Sequence, residues 1–463
     1  MPRPRELPQR ARIVIIGGGV GGASIAYHLA QLGERDVVLL ERDELTSGST
    51  FHSAGLVGQL RGSVSLTRMM MDSVELYRTL ECGWVECGGI RLACTPEREQ
   101  EVLRQVSWAK TFGLPLELLS AEEAKELFPL MSTDGVRCAS HLATDGYLDP
   151  SQLTFALAAG AREGGCQIFT QTRVSGIDVE QGPLGGRVRG VQTEWGPIEA
   201  EVVVNAGGMF AAELGRLAGV RVPIVPFAHE YLVTQPFRER EAGKHLPTLR
   251  DPDLLVYYRE EGAGLVMGGY ERESAPWALD KNQLDAIPAD FNGRLLEEDW
   301  PRFEQIAANS AIRVPAMEDI KVTKLVNGPE AFTPDNEFCL GESEVRGFFV
   351  AAGFCAHGLA GAGGVGKAMA EWILAGEPSL DLWHMDIRRF GAHYRSPSYT
   401  LKRTKEVYET YYDIRYPGHE REAGRPLRVS SAYPWHREHG AAFGEKSGWE
   451  RVNWYEGNAA LGD

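Results

Sequence analysis

Along the chain, unbroken apolar runs, glycine clusters and helix-spaced apolar positions follow one another in an order that predicts elements directly. Ile13-Val14-Ile15-Ile16 is an apolar, β-branched run, the pattern of a strand buried on both faces. It passes into Gly17-Gly18-Gly19-Val20-Gly21-Gly22. Ile25, Leu29 and Leu32 then recur at helical spacing, and Gly33 sits where a helix C-cap belongs. A second apolar run, Val37-Val38-Leu39-Leu40, ends in Glu41. Later, Val202-Val203-Val204 runs into Asn205-Ala206-Gly207-Gly208, a buried strand ending in a small-residue turn. Gly347-Phe348-Phe349-Val350-Ala351-Ala352-Gly353 reads as another strand. A glycine loop through Gly358 and Gly361-Ala362-Gly363-Gly364-Val365-Gly366 follows it, then a helix, Lys367 to Leu374, stopped by Gly376 and Pro378. Segments 229–234 and 264–270 read as strands of a mostly antiparallel sheet, and the Glu-rich stretch from Ala121 to Leu127 reads as a helix.

The first of these patterns carries chemistry. Gly17, Gly19 and Gly22 have the GxGxxG spacing between a strand and a helix, with a second strand and a terminal acid behind them. Gly17 permits the tight turn, Gly19 lets the backbone approach a pyrophosphate, and Gly22 lets helix pack on strand. The helix N-terminus faces phosphate charge, and Glu41 is placed to accept hydrogen bonds from ribose hydroxyls. The turn at Ala206-Gly207 allows a close backbone crossing beneath a nucleotide. The glycine-rich element after residue 353 is one that NAD enzymes do not need. It aims a second helix N-terminus at the site, where it stabilises negative charge on a reduced flavin, and so favours FAD.

Composition narrows the choice of partners. Acidic residues outnumber basic ones 64 to 48, for a formal charge of −16, which argues against nucleic acid, whose phosphates need a basic footprint. The seven cysteines include no CxxC pair and read as small buried residues in a reducing compartment, and nothing has metal-ligand spacing. The first apolar run is too short for a secretion signal and no stretch is long enough to span a bilayer, so a cytoplasmic protein is expected.

With these elements the chain resembles the FAD-dependent oxidoreductase superfamily of D-amino-acid oxidase, sarcosine oxidase and glycerol-3-phosphate dehydrogenase. The segment Glu44-Leu45-Thr46-Ser47-Gly48-Ser49-Thr50-Phe51-His52-Ser53-Ala54-Gly55-Leu56 is similar to the covalent-flavin segment of the dimethylglycine and sarcosine dehydrogenase family. The C-terminal region from Arg425-Pro426-Leu427 to Asn453-Trp454 is similar to that family's central region. The resemblance implies FAD bonded through its 8α-methyl to His52, with Phe51 standing where the family usually has Trp. It implies oxidation of a small secondary or tertiary amine, such as an N-methylated amino acid, by hydride transfer to flavin N5. Cofactor-binding positions are then Gly17, Gly19, Gly22, Glu41, Arg42, Thr46, Ser47, Gly48, Ser49, His52, Gly55, Leu56, Val174, Ala206, Gly207, Gly353, His357, Gly358, Gly364 and Val365. The family's histidine and tyrosine map to His229 and to Tyr257 or Tyr258. Consecutive strand residues face opposite ways, so only one tyrosine points at the flavin, and Tyr257 is favoured by family position. His357 is a site residue without an assigned role, and Arg259, Lys321 and Lys324 are candidates for a substrate carboxylate.

The resemblance also implies partners. Electrons pass to oxygen or to an electron-transfer flavoprotein. Family members usually continue into a folate-binding aminomethyltransferase domain, whereas this sequence stops at Asp463. Free formaldehyde, or a separate folate-binding protein, is therefore expected. A non-catalytic paralogue resembling the regulatory subunit of pyruvate dehydrogenase phosphatase is the alternative. The expected architecture is α/β: a Rossmann-like FAD-binding domain from 1–89, 145–222 and 325–385, interleaved with an antiparallel-sheet substrate domain from 90–144 and 223–324. Within the latter, 90–144 reads as a helical and loop insertion. Residues 386–463 form an irregular extension wrapped on an existing surface.

Overall fold

The structure, a computed structural model, describes residues 6–183, 185–239, 243–281 and 283–461. Two large sheets organise it. The first has eight strands, six of them in the order Val174–Gly182, Gly185–Thr193, Gly196–Asn205, Arg10–Ile16, Val37–Leu40 and Gln167–Phe169. Arg10–Ile16 runs parallel to both neighbours, pairing Ile16 with Leu40 on one side and with Asn205 on the other. Strand Phe348–Ala352 joins Gly196–Asn205 in parallel. Helix Val20–Gln31 covers this sheet and packs against helices Pro150–Glu163 and Gly358–Ala375. Ile13, Val14, Ile15, Val38 and Leu39 are fully buried, each worth about 1.5–3 kcal/mol relative to exposure.

Glycines set how closely these layers approach. A Cβ on Gly22 would lie 2.0 Å from the Gly17 carbonyl oxygen, so helix Val20–Gln31 sits directly on the turn before it. One sequence expectation changes here. The glycine-rich segment 358–366 is the first half of helix Gly358–Ala375, not a loop ahead of a helix at Lys367. Its glycines serve helix packing: a Cβ on Gly364 would lie 2.2 Å from the Met69 carbonyl oxygen, and one on Gly366 2.1 Å from Ser24 Oγ. Gly376 caps the helix in the left-handed conformation (φ 86°).

The second sheet has nine strands and is mostly antiparallel. Towards one end of it, Val225–Thr234 is flanked by Gly264–Gly269 and by the long strand Val322–Phe332. Segment 90–144 is more than helices and loops. Helices Pro96–Lys110 and Ala121–Leu127 are there, but strands Gly89–Ala93, Leu116–Leu119 and Cys138–Leu142 extend the second sheet. Likewise Val322–Phe332 belongs to this sheet, so residues 325–332 leave the first unit to which the sequence reading gave them. The C-terminal region is not only a wrapping tail. Helix Pro397–Glu409 sends Val407 and Tyr408 into a fully buried cluster with Phe227 and Phe332, and strands Ala441–Lys446 and Trp449–Tyr455 form a hairpin. Among the described residues no helix is long and apolar enough to cross a membrane.

Candidate active site

Two adjoining cavities lie between the sheets. The smaller, about 170 Å³, opens at the N-terminus of helix Val20–Gln31. Gly17, Gly19, Gly21, Glu41, Arg42, Gly48, Ser49, Val174, Ala206, Gly207, Gly353 and Gly358 form its walls. Gly17 has φ 117°, and a Cβ there would meet the Ala206 carbonyl oxygen at 2.3 Å, so the turn is open only to glycine. The Glu41 carboxylate accepts from the Gly18 N–H at 2.7 Å and from the Asp43 N–H at 2.9 Å. Burial pushes Glu41 up, while these two donors pull it down. Thr50 Oγ1 accepts from the Val20 N–H at 3.2 Å, and the Arg42 guanidinium lies 4.0 Å over the Phe210 ring. A helix N-terminus beside three glycines has the form of a cradle for a pyrophosphate, and Glu41 lines the same cleft.

Some expected cofactor positions lie elsewhere. Gly22 packs helix on turn, the role its spacing predicts, and lines neither cavity. Thr46 is held by its N–H donating to the Gly18 carbonyl, and the Ser47 carbonyl accepts from the Gly293 N–H, so both shape the loop from outside the cavities. Gly364 and Val365 are corrected outright: the helix buries both, Gly364 against Met69, away from either cavity.

The larger cavity, about 1090 Å³, shares Ser53, Glu330, Ala356 and Leu359 with the smaller, so the two adjoin. His52, Gly55 and Leu56 line it. His52 is 5% exposed, and its Nε2 makes no hydrogen bond. Burial lowers it to about 4, so the ring is neutral at physiological pH. Its neighbour on the long strand has to be a glycine, because a Cβ on Gly328 would fall 2.3 Å from His52 Nδ1. An unpartnered, neutral imidazole nitrogen in a cavity adjoining the glycine-lined cleft fits a flavin ring at this position.

The same cavity is lined by His229, on Val225–Thr234 and paired in register with Gly328, and by Tyr257, on Val256–Glu261. His229 Nε2 is 3.2 Å from the Tyr257 hydroxyl, and Nδ1 is 3.1 Å from the Tyr408 hydroxyl. Burial and the Arg302 charge lower His229 to about 3. Gly268 stands across from Tyr257, where a Cβ would lie 2.4 Å from the hydroxyl. Tyr258 faces away: its hydroxyl donates to the Ser310 carbonyl at 2.9 Å and its ring packs near Phe128. It is thereby removed from the candidate catalytic set. His357 precedes helix Gly358–Ala375. Its Nε2 lies 2.8 Å from the Tyr411 hydroxyl, and burial with nearby Arg61 and Arg250 holds it well below the usual histidine range.

The carboxylate candidates also change. Lys321 and Lys324 are exposed, Arg259 donates to the Ala54 and Glu260 carbonyls, and none of the three lines a cavity. Arg61 and Arg250 line the larger one, and burial pushes Arg61 down to about 10. Glu330 was also missed by sequence reasoning. It sits where the cavities meet, with Oε2 buried and unpartnered, and burial with the nearby Glu271 charge raises it to about 7. The available signal was an acid in a mostly apolar strand segment, Leu325-Val326-Asn327-Gly328-Pro329-Glu330-Ala331-Phe332. Tyr270, Tyr411 and Tyr412 complete the aromatic wall, with Tyr270 stacked on His229 at 4.6 Å and on Tyr411 at 4.0 Å. Away from this site, Cys94, Asp251 and Asp253 bring ligand-type atoms within 4.8 Å of one another, but Arg313 and Arg98 pair with the two carboxylates.

Comparison with known proteins agrees with this geometry. A family profile described as FAD dependent oxidoreductase matches residues 12–372, and one described as FAD dependent oxidoreductase central domain matches 375–430. Human mitochondrial sarcosine dehydrogenase is 38% identical over 97% of this chain and 49% of its own length. The mouse mitochondrial pyruvate dehydrogenase phosphatase regulatory subunit is 36% identical over 97% of this chain and 51% of its own. The chain thus spans about half the length of the curated relatives it matches. The crystal structure of L-proline dehydrogenase from P. horikoshii superposes with a TM-score of 0.74 at 29% identity, covering 83% of this chain and 98% of that one.

Proposed function

The chain belongs to the FAD-dependent oxidoreductase family, and on that premise we propose that it oxidises a small secondary or tertiary amine bearing a carboxylate, such as an N-methylated amino acid. The observation that carries this is the polarity of the larger cavity. Glu330 lies at the junction with the nucleotide cleft, His229 and Tyr257 line the wall, and Arg61 and Arg250 supply positive charge. A zwitterion fits this arrangement, its nitrogen by Glu330 and Tyr257 and its carboxylate on the arginines. The likeness to sarcosine dehydrogenase supports an N-methyl group as the part oxidised.

Bound FAD supplies the two-electron acceptor for the C–H bond beside the nitrogen. The chain's own residues do the rest. Gly17, Gly19 and the helix N-terminus receive the pyrophosphate, and the aromatic wall of Tyr257, Tyr270 and Tyr411 keeps water from the nitrogen. Glu330 attracts the amine cation and accepts its proton. Its carboxylate form exists above its value of about 7, so kcat/KM should rise with pH through about 7. His52 and His229 are held neutral throughout that range, whereas Glu337, which also lines the larger cavity, is raised by burial to about 7 like Glu330, so substitution of Glu330 is what separates the two carboxylates. Glu330→Gln should flatten that limb and lower kcat/KM by about 10²-fold. A retained pH 7 limb in the variant would take Glu330 out of this role.

We further infer that His52 carries the flavin covalently, supported by its neutral, unpartnered Nε2 in the cavity wall. The purified protein should be yellow, and the colour should stay with the polypeptide through acid precipitation. His52→Ala should bind FAD that acid releases. Full release from the wild type would refute the attachment and leave FAD binding intact. The likeness to a phosphatase regulatory subunit favours a second reading, a flavin-binding regulator without turnover. Comparing formaldehyde release from sarcosine with that from sarcosine amide separates the two. The enzyme reading expects release from the acid and at least tenfold less from the amide, and a regulator releases none from either.

A further inference from the structure

Behind the histidine–tyrosine pair a buried line of polar groups runs out of the cavity. Tyr408, from helix Pro397–Glu409, lies 3.1 Å from His229 Nδ1 and donates its hydroxyl proton to Glu271 Oε2 at 3.0 Å. Glu271 is paired with Arg302 Nη1, and Arg302 Nη2 meets Glu230 at 2.9 Å. Tyr408 is fully buried, and Glu271 nearly so. Nothing in the proposed chemistry uses these groups, yet their cost when unsatisfied makes an idle buried line expensive.

The line has a direction. An ionised carboxylate only accepts, so the Tyr408 hydroxyl proton is committed to Glu271. The Tyr408 oxygen is then left as an acceptor toward His229, so Nδ1 must carry the imidazole proton. A neutral ring protonated on Nδ1 has a bare Nε2, and the hydroxyl 3.2 Å from it, that of Tyr257, must donate. The Tyr257 oxygen therefore faces the cavity with lone pairs only.

We infer that Tyr408 and Glu271 are positioning residues that fix His229 as its Nδ1–H tautomer, and so make the Tyr257 oxygen an acceptor for the N–H of a secondary-amine substrate. The inference rests on the amine-oxidation reading and explains a requirement of it. Loss of the C–H bond beside nitrogen is driven by the nitrogen lone pair. A hydroxyl donating into the site would bind that lone pair and oppose the reaction, whereas an accepting oxygen holds the amine by its N–H and leaves the lone pair free. The device depends on residues 229, 257, 271 and 408, brought together from strands Val225–Thr234 and Val256–Glu261, the segment just after strand Gly264–Gly269, and the C-terminal helix.

Two measurements on the FAD-loaded protein test it. In protein labelled with 15N-histidine, the His229 signal, identified by its loss in His229→Asn, should show protonation on Nδ1. In Tyr408→Phe, which removes the acceptor at Nδ1 but keeps the ring, it should move to Nε2. Anaerobic reduction of Tyr408→Phe by an N-methyl amino acid should slow about 10²-fold or more, in the maximal rate rather than in substrate affinity, the scale of a base held in the wrong tautomer. Glu271→Gln, which keeps the shape but can donate, should weaken the Nδ1 preference in the same direction. A wild-type His229 protonated on Nε2, or one unchanged in Tyr408→Phe, overturns the inference. If the tautomer behaves as stated while no N-methyl amine reduces the wild type, the amine-oxidation reading falls and the hydrogen-bond direction stands.

Discussion

Replacing Tyr257 by Phe or His229 by Ala is expected to slow anaerobic flavin reduction by N-methylated amino acids by about 10²- to 10⁴-fold, with the flavin still bound. Both side chains are buried on the wall of the larger cavity and bonded to each other, so each variant removes the oxygen facing the substrate or the group that orients it. Neither residue lines the nucleotide cleft, which is why flavin content should be unaffected. Tyr258→Phe is the internal control. It deletes a hydroxyl one residue away that donates to the Ser310 carbonyl on the other face of the strand. That variant should lose about 0.5–1.5 kcal/mol of stability, the usual worth of one hydrogen bond, and little rate. Rapid-mixing measurements of flavin bleaching distinguish the three. Near-wild-type reduction in both Tyr257→Phe and His229→Ala would remove the pair from the chemistry.

Gly17→Ala should yield protein largely without flavin. The new methyl group would lie 2.3 Å from the Ala206 carbonyl oxygen, on backbone at φ 117°. Strain at a glycine-only conformation and overpacking each cost about 1–3 kcal/mol, enough together to lower FAD affinity at least tenfold. Gly22→Ala tests the same turn from the helix side, where the methyl would meet the Gly17 carbonyl oxygen at 2.0 Å. The ratio of visible to ultraviolet absorbance after purification reads the flavin content, and far-ultraviolet circular dichroism shows whether the fold survives. A folded Gly17→Ala protein carrying a full complement of FAD would contradict the role given to this turn.

What was legible in the sequence was local and periodic. The strand–turn–helix–strand unit from residue 13 to Glu41 is readable because burial on both faces leaves an unbroken apolar run, and a turn at positive φ leaves a glycine. Strand alternation required Tyr257 and Tyr258 to face opposite ways, as the two rings do, while the preference for Tyr257 came from family position. Glycine density misled at 361–366 because close helix packing and loop flexibility call for the same residue. Only the contacts of Gly364 with Met69 and of Gly366 with Ser24 tell them apart. The charged lining was not legible for a different reason. Arg61, Arg250 and Glu330 come from a loop and two separate strands, and Tyr408 and Tyr411 from the C-terminal region. Arg259, Lys321 and Lys324 lie close in sequence to site residues, but that says nothing about which face of a strand they occupy.

The most direct test of the central claim is an anaerobic titration of the yellow protein with N-methyl amino acids and their carboxyl-amide analogues, followed in the visible spectrum. The account predicts that at least one N-methylated amino acid bleaches the flavin band stoichiometrically, that its amide does so at least tenfold less readily, and that Arg250→Ala erases the difference. A flavin that stays oxidised with every N-methyl amine, yet is reduced normally by dithionite, would contradict amine oxidation as the function of this site.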